Sequence, residues 1–116
     1  YQAVAAAATT YGRKIALIPA GERWRADGSL RPAYEDWLGA GAIISQLRGS
    51  RSPEARAAQA AFQDAQAQIA ELFGACASGQ EHIEQGLMEN VALAATMNGS
   101  ECVPLLVDNA YRHVKH

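Results

Sequence analysis

The residues that could do chemistry in this chain are concentrated in one stretch, Ile18–Gly41, with a second, smaller group at Ser78-Gly79. The stretch contains three arginines, and two of its acidic residues, Glu35 and Asp36, are adjacent in the sequence. Guanidinium groups are forked donors that suit anionic groups. The free backbone N–H groups at the start of a helix form a second kind of anion site. We therefore expect a site for an anionic ligand to which this stretch contributes.

The composition limits the classes of protein to be considered. The 116 residues allow one domain with a modest core, and 49% of them are hydrophobic. The formal net charge of -2 argues against a general nucleic-acid-binding surface. We see no signal peptide and no apolar run long enough to cross a membrane, so we expect a cytoplasmic protein with no membrane partner. The two cysteines, Cys76 and Cys102, form neither a disulfide framework nor a zinc motif, which also favours a reducing compartment.

Hydrophobic spacing and capping residues predict helices over most of the chain. The five predicted helices cover residues 1–11, 32–47, 52–73, 78–86 and 88–97. The second of them has Glu35 and Asp36 in its first turn, and it contains Gly39 and Gly41. Each glycine costs about 1 kcal/mol relative to alanine in a helix. That cost indicates either the close approach of another backbone or a ligand, or loose packing.

Only two runs of the sequence predict β-strands. Residues Lys14–Ile18 form a short apolar run that is typical of a buried parallel strand. Residues Val103–Val107 form another, and Pro104 makes it an edge strand or a strand start. Two short strands cannot cover five helices. Either they pair with strands of another chain, or residues 1–116 are one partial domain. We favour the second alternative and predict an α/β fold of which this chain is a helix-rich part.

Several segments, taken together and in this order, resemble one protein family. They are Ile18–Trp24 (IPAGERW), Asp27–Ala33 (DGSLRPA), Glu35-Asp36 with Gly39–Ile43, Ser52–Ala55 (SPEA), Cys76–Gly79 (CASG) with Glu81, and Cys102–Pro104 (CVP). The set looks like the C-terminal half of a 2-phosphosulfolactate phosphatase of the ComB type, over nearly the whole chain. The family's N-terminal half, with its further strands, is absent from this sequence. Two residues depart from the family pattern: Asn90, where an acidic residue is expected, and His82, where an apolar residue is expected.

This resemblance implies a magnesium-dependent phosphatase. It would hydrolyse 2-phospho-3-sulfolactate, or a related small acidic phosphate ester, to 3-sulfolactate and phosphate, a step that serves coenzyme M synthesis in methanogens. The implied catalytic residues are Glu22, Arg23, Glu35 and Asp36. The implied substrate- and phosphate-binding residues are Arg25, Arg31, Ser78 and Gly79.

The implied cofactor is Mg²⁺, and its candidate ligands are Glu22, Glu35 and Asp36. Magnesium prefers one or two carboxylates together with waters and substrate phosphate. Adjacent residues on a helix point about 100° apart, so Glu35 and Asp36 cannot both face one ion comfortably. Each candidate also has a structural interpretation. Acidic residues in a first turn favour the helix dipole, arginines can be surface charges, and Ser78 with Glu81 predicts a capping box.

A second function, from a different class, stays open. The chain could be a non-catalytic helical binding or assembly module whose Ala-rich faces pack against a partner. The enzyme would bind a small anionic ester and would depend on magnesium. The module would bind its partner whether or not a chelator is present. In both cases the expected protein partner is the missing N-terminal half or another copy of the chain. The three histidines show no metal-ligand spacing and are interpreted as surface residues, and Cys76 as a buried structural thiol.

Overall fold

The chain folds into short helices accompanied by two small hairpins, as shown by a computed structural model that describes residues 1–113. The α-helices are α1 (Gln2–Tyr11), α2 (Tyr34–Gln46), α3 (Pro53–Ala65), α4 (Ile69–Ala75), α5 (Ala77–Glu84) and α6 (Met88–Ala94). The strands are β1 (Glu22–Arg23), β2 (Leu30–Arg31), β3 (Pro104–Val107) and β4 (Ala110–His113). A 3-10 turn at Gln66–Gln68 divides the third predicted helix into α3 and α4. The predicted five helical segments and the α/β class are confirmed.

The core lies where α2 packs against α3 and α4. Its buried residues are Leu38, Ala42, Phe62, Ala65, Ile69 and Phe73. Helix α3 begins as its sequence predicts, with the Ser52 hydroxyl accepting the Ala55 N–H at 3.2 Å. Gly41 of α2 faces the carbonyl oxygen of Ala58 so closely that an added Cβ would overlap it. The predicted close approach of a second backbone is therefore confirmed at Gly41, and it allows α2 and α3 to pack tightly.

Helix α1 is held by a residue from the far end of the chain. No side chain at its own start caps it. Instead, Asn98 Oδ1 accepts hydrogen bonds from the terminal amino group of Tyr1 at 3.2 Å and from the Gln2 N–H at 3.1 Å. Asn98 has a positive φ of 54°, which asparagine tolerates better than most residues. The turn after α6 therefore supplies the N-terminal cap that is missing at Tyr1.

One of the two predicted strands is wrong, and the other is confirmed. Residues Lys14–Ile18 form no strand in the structure, and Ile18 is 88% exposed. The run is apolar enough for a buried strand, yet none of the described strands lies beside it to pair with. Residues Pro104–Val107 do form β3, which starts at Pro104 and pairs with β4 through a turn at Asp108-Asn109. Both turn residues have positive φ, as the favoured two-residue hairpin turns require.

The length and composition of the described helices bear on the expectation that the chain does not cross a membrane. Among residues 1–113, no helix is both long and apolar enough to cross a membrane.

Two glycines of α2 provide a matched pair for testing the α2–α3 contact. Gly41→Ala should lower the free energy of unfolding by about 1–3 kcal/mol, because the methyl group meets the Ala58 carbonyl and the two helices must separate. Gly39 has open space around it, so Gly39→Ala should raise the same quantity by about 0.5–1 kcal/mol. Urea unfolding followed by circular dichroism measures both. Equal effects of the two substitutions would contradict the assigned contact.

Candidate functional site

A cavity of about 190 Å³ lies where the start of α2 meets α5 and α6. Its polar lining consists of Glu35, Cys76, Ser78, His82 and Asn90. Phe73 and Val91 are among the apolar residues that complete the wall. The cavity thus brings Glu35, from the stretch Ile18–Gly41, next to Ser78 and Gly79.

Cysteine rather than serine caps the helix that forms this cavity. Cys76 is extended, with φ -71° and ψ 164°, and its sulfur accepts the Gly79 N–H at 3.4 Å. The predicted capping box is therefore wrong, because α5 begins at Ala77 and Ser78 lies inside its first turn. Gly79 has no room for a side chain, since a Cβ would overlap the carbonyl oxygen of Phe73. The junction between α4 and α5 is thus set by a sulfur cap and a glycine contact.

Ser78 is the most unusual polar residue of the cavity. It is only 8% exposed, and its hydroxyl oxygen has no hydrogen-bond partner in the described part of the chain. Its carbonyl oxygen lies 3.0 Å from Nδ1 of His82, one helical turn further on. Buried hydroxyl groups normally have partners, because an unpaired one costs free energy. The Ser78 hydroxyl oxygen is therefore a buried polar atom that the described part of the chain leaves unpaired.

The Cys76 thiol and the Glu35 carboxylate lie side by side. The sulfur is 3.2 Å from the Phe73 carbonyl oxygen and 3.8 Å from Oε2 of Glu35. Burial raises the pKa of the Cys76 thiol above its ordinary value, the hydrogen bond from Gly79 opposes the rise, and the Glu35 carboxylate adds to it. The thiol is therefore protonated at neutral pH, and the cavity carries the negative charge of Glu35 without a second one from the sulfur.

Within the stretch Ile18–Gly41, residues 22–31 form a hairpin, which we call the arginine hairpin. Glu22 is exposed, and its Oε1 accepts the Arg23 N–H at 2.7 Å. Arg23 is also exposed and donates to the Gly28 carbonyl oxygen at 2.6 Å. Arg25 is exposed in the turn. The structure therefore places these three predicted site residues on the hairpin surface, outside the lining of the cavity.

The arginine hairpin is tied to the helices at two points. Nη2 of Arg31 lies 2.8 Å from Oε2 of Glu81 on α5, and its guanidinium also lies 4.7 Å from the centre of the Trp24 ring. Arg31 is 4% exposed, so its charge is paired inside the protein. Asp36 Oδ2 accepts the N–H of Gly21, the residue just before the hairpin, at 2.8 Å. Two of the predicted site residues, Arg31 and Asp36, thus make contacts that position the hairpin. That they also contact a substrate stays a prediction.

The structure brings together some of the predicted site residues. Glu35, Ser78 and Gly79 line one cavity, whereas Glu22, Arg23 and Arg25 lie on the hairpin. Across residues 1–113, no three His, Cys, Asp or Glu side chains form a group that could hold a metal ion. Magnesium needs only one or two protein carboxylates. Glu35 is the predicted magnesium ligand that lines the cavity, where it is half-buried.

Sequence reasoning missed three residues of the cavity or gave them other roles. Cys76 was interpreted as a structural thiol, but it caps α5; a sulfur acceptor gives no capping signal in a sequence. His82 was interpreted as a surface residue, although it follows Ser78 by four positions and so shares its helix face. Asn90, which departs from the family pattern, lines the cavity too. Of the other histidines, His113 lies on β4 and His116 falls outside the described residues.

Comparison with known proteins identifies the family of this α/β chain. The family model described as 2-phosphosulpholactate phosphatase matches residues 1–109, so the chain belongs to that family. A relative from Gloeobacter violaceus named "Probable 2-phosphosulfolactate phosphatase" is 31% identical over 84 residues, which are 72% of this chain and 34% of the relative. The match thus spans about a third of that curated relative's length. No solved structure matches the chain significantly.

The raised pKa of Cys76 predicts how the two cysteines react with a thiol reagent. Near neutral pH, Cys76 should react at least about tenfold more slowly than the exposed Cys102, because only the thiolate is nucleophilic. Its rate should increase as the pH is raised, and Glu35→Gln should increase it severalfold at neutral pH by removing the neighbouring negative charge. Alkylation followed by peptide mass spectrometry separates the two sites. Equal rates at both cysteines would contradict the assignment.

Proposed function

We propose that this protein takes part in hydrolysing the phosphate ester of 2-phosphosulfolactate, or of a related small acidic compound, to release phosphate. Its membership of the 2-phosphosulpholactate phosphatase family supports this class of reaction. The structural observation that carries the proposal is the cavity in which Glu35, Ser78 and Gly79 meet. These three residues come from segments about forty positions apart, and all three were site candidates from the sequence.

The start of α5 provides donors for an anionic group. The first N–H groups of a helix have no partner within it, and the helix dipole makes that end positive. The Gly79 N–H is occupied by the Cys76 sulfur, which leaves the N–H groups of Ala77 and Ser78. Arg23 and Arg25 are exposed on the arginine hairpin. Their guanidinium groups are the ones that could contact an anionic substrate. Arg31 holds the hairpin on α5.

Magnesium is part of this proposal as the cofactor. Glu35 is the carboxylate of this chain that would hold the ion from within the cavity, and the predicted ligands Glu22 and Asp36 lie on or against the hairpin. When bound, magnesium neutralises charge on a phosphate group and polarises it. The side chains described here bind and orient the anionic substrate around that position.

The expected protein partner also belongs to this proposal. Residues Lys14–Ile18 belong to no helix or strand and are largely exposed, and Ile15 and Ile18 offer apolar side chains there. We propose that this segment pairs with a strand from the remaining part of the family's fold or from a second copy of the chain. The match to about a third of the Gloeobacter relative supports the first source. The alternative of a non-catalytic helical module gains no support from the family match.

The direct test is phosphate release from 2-phosphosulfolactate by the purified protein, with magnesium and with EDTA. We expect turnover that depends on magnesium and that Glu35→Gln lowers by at least about tenfold, because the substitution removes the charge that would hold the ion. Glu71→Gln is the matched control, since Glu71 is an exposed carboxylate on α4 that does not line the cavity. Turnover unaffected by EDTA would contradict the magnesium role, and no phosphate release even when the remaining part of the family's fold is supplied would contradict the proposed reaction.

A further inference from the structure

We propose that Asn98-Gly99 is a site of spontaneous deamidation, in which the Gly99 nitrogen attacks the side-chain amide of Asn98 and the start of α1 activates that amide. The site lies in the turn after α6, outside the lining of the cavity that contains Ser78. Water is the co-reactant, and the products are aspartate and isoaspartate. The inference does not depend on the proposed function, because the conversion can be measured without a substrate.

The reaction has two steps and needs no cofactor. In the first step, the Gly99 nitrogen loses its proton and forms a bond to Cγ of Asn98, while the side-chain nitrogen leaves as ammonia, so that a cyclic succinimide forms. In the second step, water adds to one of the ring carbonyl groups and the ring opens. Opening at Cγ gives aspartate, and opening at the main-chain carbonyl gives isoaspartate, in which the main chain runs through Cγ. Each conversion consumes one water and releases one ammonia.

The Gly99 nitrogen is free to act as the nucleophile. Gly99 is exposed and belongs to no helix or strand. Its N–H donates no hydrogen bond within residues 1–113. Glycine has no Cβ to shield the nitrogen, and its backbone adopts unusual conformations more readily than that of other residues, which eases ring closure. Neither a backbone partner nor a side chain therefore has to be displaced before Gly99 attacks Asn98.

The Asn98 amide is activated by the same contacts that hold α1. Its Oδ1 accepts hydrogen bonds from the backbone nitrogens of Tyr1 at 3.2 Å and Gln2 at 3.1 Å. These donors stand at the positive end of the helix dipole, and negative charge develops on Oδ1 when the nitrogen attacks Cγ. Donors placed at a developing oxyanion lower the barrier to such an attack. The start of α1 therefore acts as an oxyanion hole for Asn98, and the departing side-chain nitrogen has no partner within residues 1–113.

The dipeptide Asp27-Gly28 has an acidic residue before glycine but lacks both features. The Gly28 N–H already donates to the Trp24 carbonyl oxygen at 2.8 Å. The Asp27 carboxylate accepts hydrogen bonds from Ser29, which lower its pKa and keep it ionised at neutral pH. An ionised carboxylate is a poor electrophile. This dipeptide should therefore remain unchanged while the asparagine site reacts.

The other two asparagines of the chain lie in or beside regular elements. Asn90 is in α6 and is followed by Val91, whose branched side chain hinders attack by its nitrogen. Asn109 is followed by Ala110, which belongs to β4 and is paired in the hairpin with β3. These two residues are therefore internal references for the reactivity of Asn98.

Conversion changes both the charge beside α2 and the anchoring of α1. Aspartate at position 98 adds a negative charge in a cavity of about 300 Å³ that Glu35 and Asp36 also line. Isoaspartate inserts an extra carbon into the main chain and shortens the side chain, so its carboxylate no longer stands where Oδ1 accepts from α1. The reaction therefore alters the residue that caps α1.

The experiment incubates the purified protein in mildly alkaline buffer made with ¹⁸O-labelled water and follows each asparagine by peptide mass spectrometry. Each conversion should introduce one labelled oxygen, and liquid chromatography separates the aspartyl and isoaspartyl peptides. We expect Asn98 to convert at least about tenfold faster than Asn90 and Asn109, because it alone is followed by a residue without a side chain. The purified isoaspartyl form should show severalfold faster hydrogen exchange in α1 than the unmodified protein.

Variants test the two assigned roles. Gly99→Ala should slow the conversion by roughly tenfold or more, because a methyl group shields the attacking nitrogen. The closest contact of the added Cβ is the Thr96 methyl group at 3.1 Å, a small side chain that can shift. Gln2→Pro removes one donor to Oδ1 and should slow the conversion severalfold, while proline suits the first position of a helix. Gln2→Ala keeps the N–H and should leave the rate unchanged.

The outcomes decide this proposal separately from the proposed function. Conversion of Asn98 in the folded protein that is slower in both Gly99→Ala and Gln2→Pro supports it. If Asn98 stays unchanged in the folded protein while it converts in urea, the fold protects the site and the proposal is overturned. An equal rate in Gln2→Pro and Gln2→Ala would overturn the activation by α1. None of these results depends on phosphate release.

Discussion

The interaction on which the rest of this structure depends is the ion pair between Arg31 and Glu81. It joins two residues that are fifty positions apart and is the one salt bridge described within residues 1–113. Arg31 is almost completely buried, while Glu81 keeps 27% of its side chain exposed. A buried guanidinium without a partner would be strongly unfavourable. The fold must therefore bring α5 against the hairpin, and the Trp24 ring also lies 4.7 Å from the guanidinium of Arg31.

Helix α2 connects the arginine hairpin to the cavity. Two residues separate the end of the arginine hairpin from the start of α2, and Asp36 in the first turn of α2 accepts the Gly21 N–H. With the hairpin fixed both to α2 and to α5, the neighbouring carboxylate of Glu35 comes to lie beside Cys76. The same junction holds Ser78 in the first turn of α5. The residues of the cavity are thus far apart in the sequence. The ion pair between Arg31 and Glu81 and the hydrogen bond from Gly21 to Asp36 bring them together.

Much of this arrangement was predictable from the sequence, and the missing parts have physical causes. Helices follow from local spacing and from caps such as Ser52, which depend on neighbours in the sequence. The strand at Lys14–Ile18 could not be decided locally, because a strand exists only when another one pairs with it. The Cys76 cap was missed because sulfur is a weak acceptor that rarely serves as a cap. The family was predictable because several specific segments occur in the right order, whereas the meeting of Glu35 with Ser78 depends on long-range packing.

The measurement that tests this account most directly is a double-mutant cycle between Arg31 and Glu81. Arg31→Met, Glu81→Gln and the double variant would each be compared with the natural chain for the free energy of unfolding and for phosphate release from 2-phosphosulfolactate. We predict that each single substitution costs about 1–3 kcal/mol of stability and that the double variant costs little more than one of them. All three should lower phosphate release, because α5 loses its attachment to the hairpin. Strictly additive stability effects, or unchanged phosphate release in all three variants, would contradict the claim that this ion pair assembles the site.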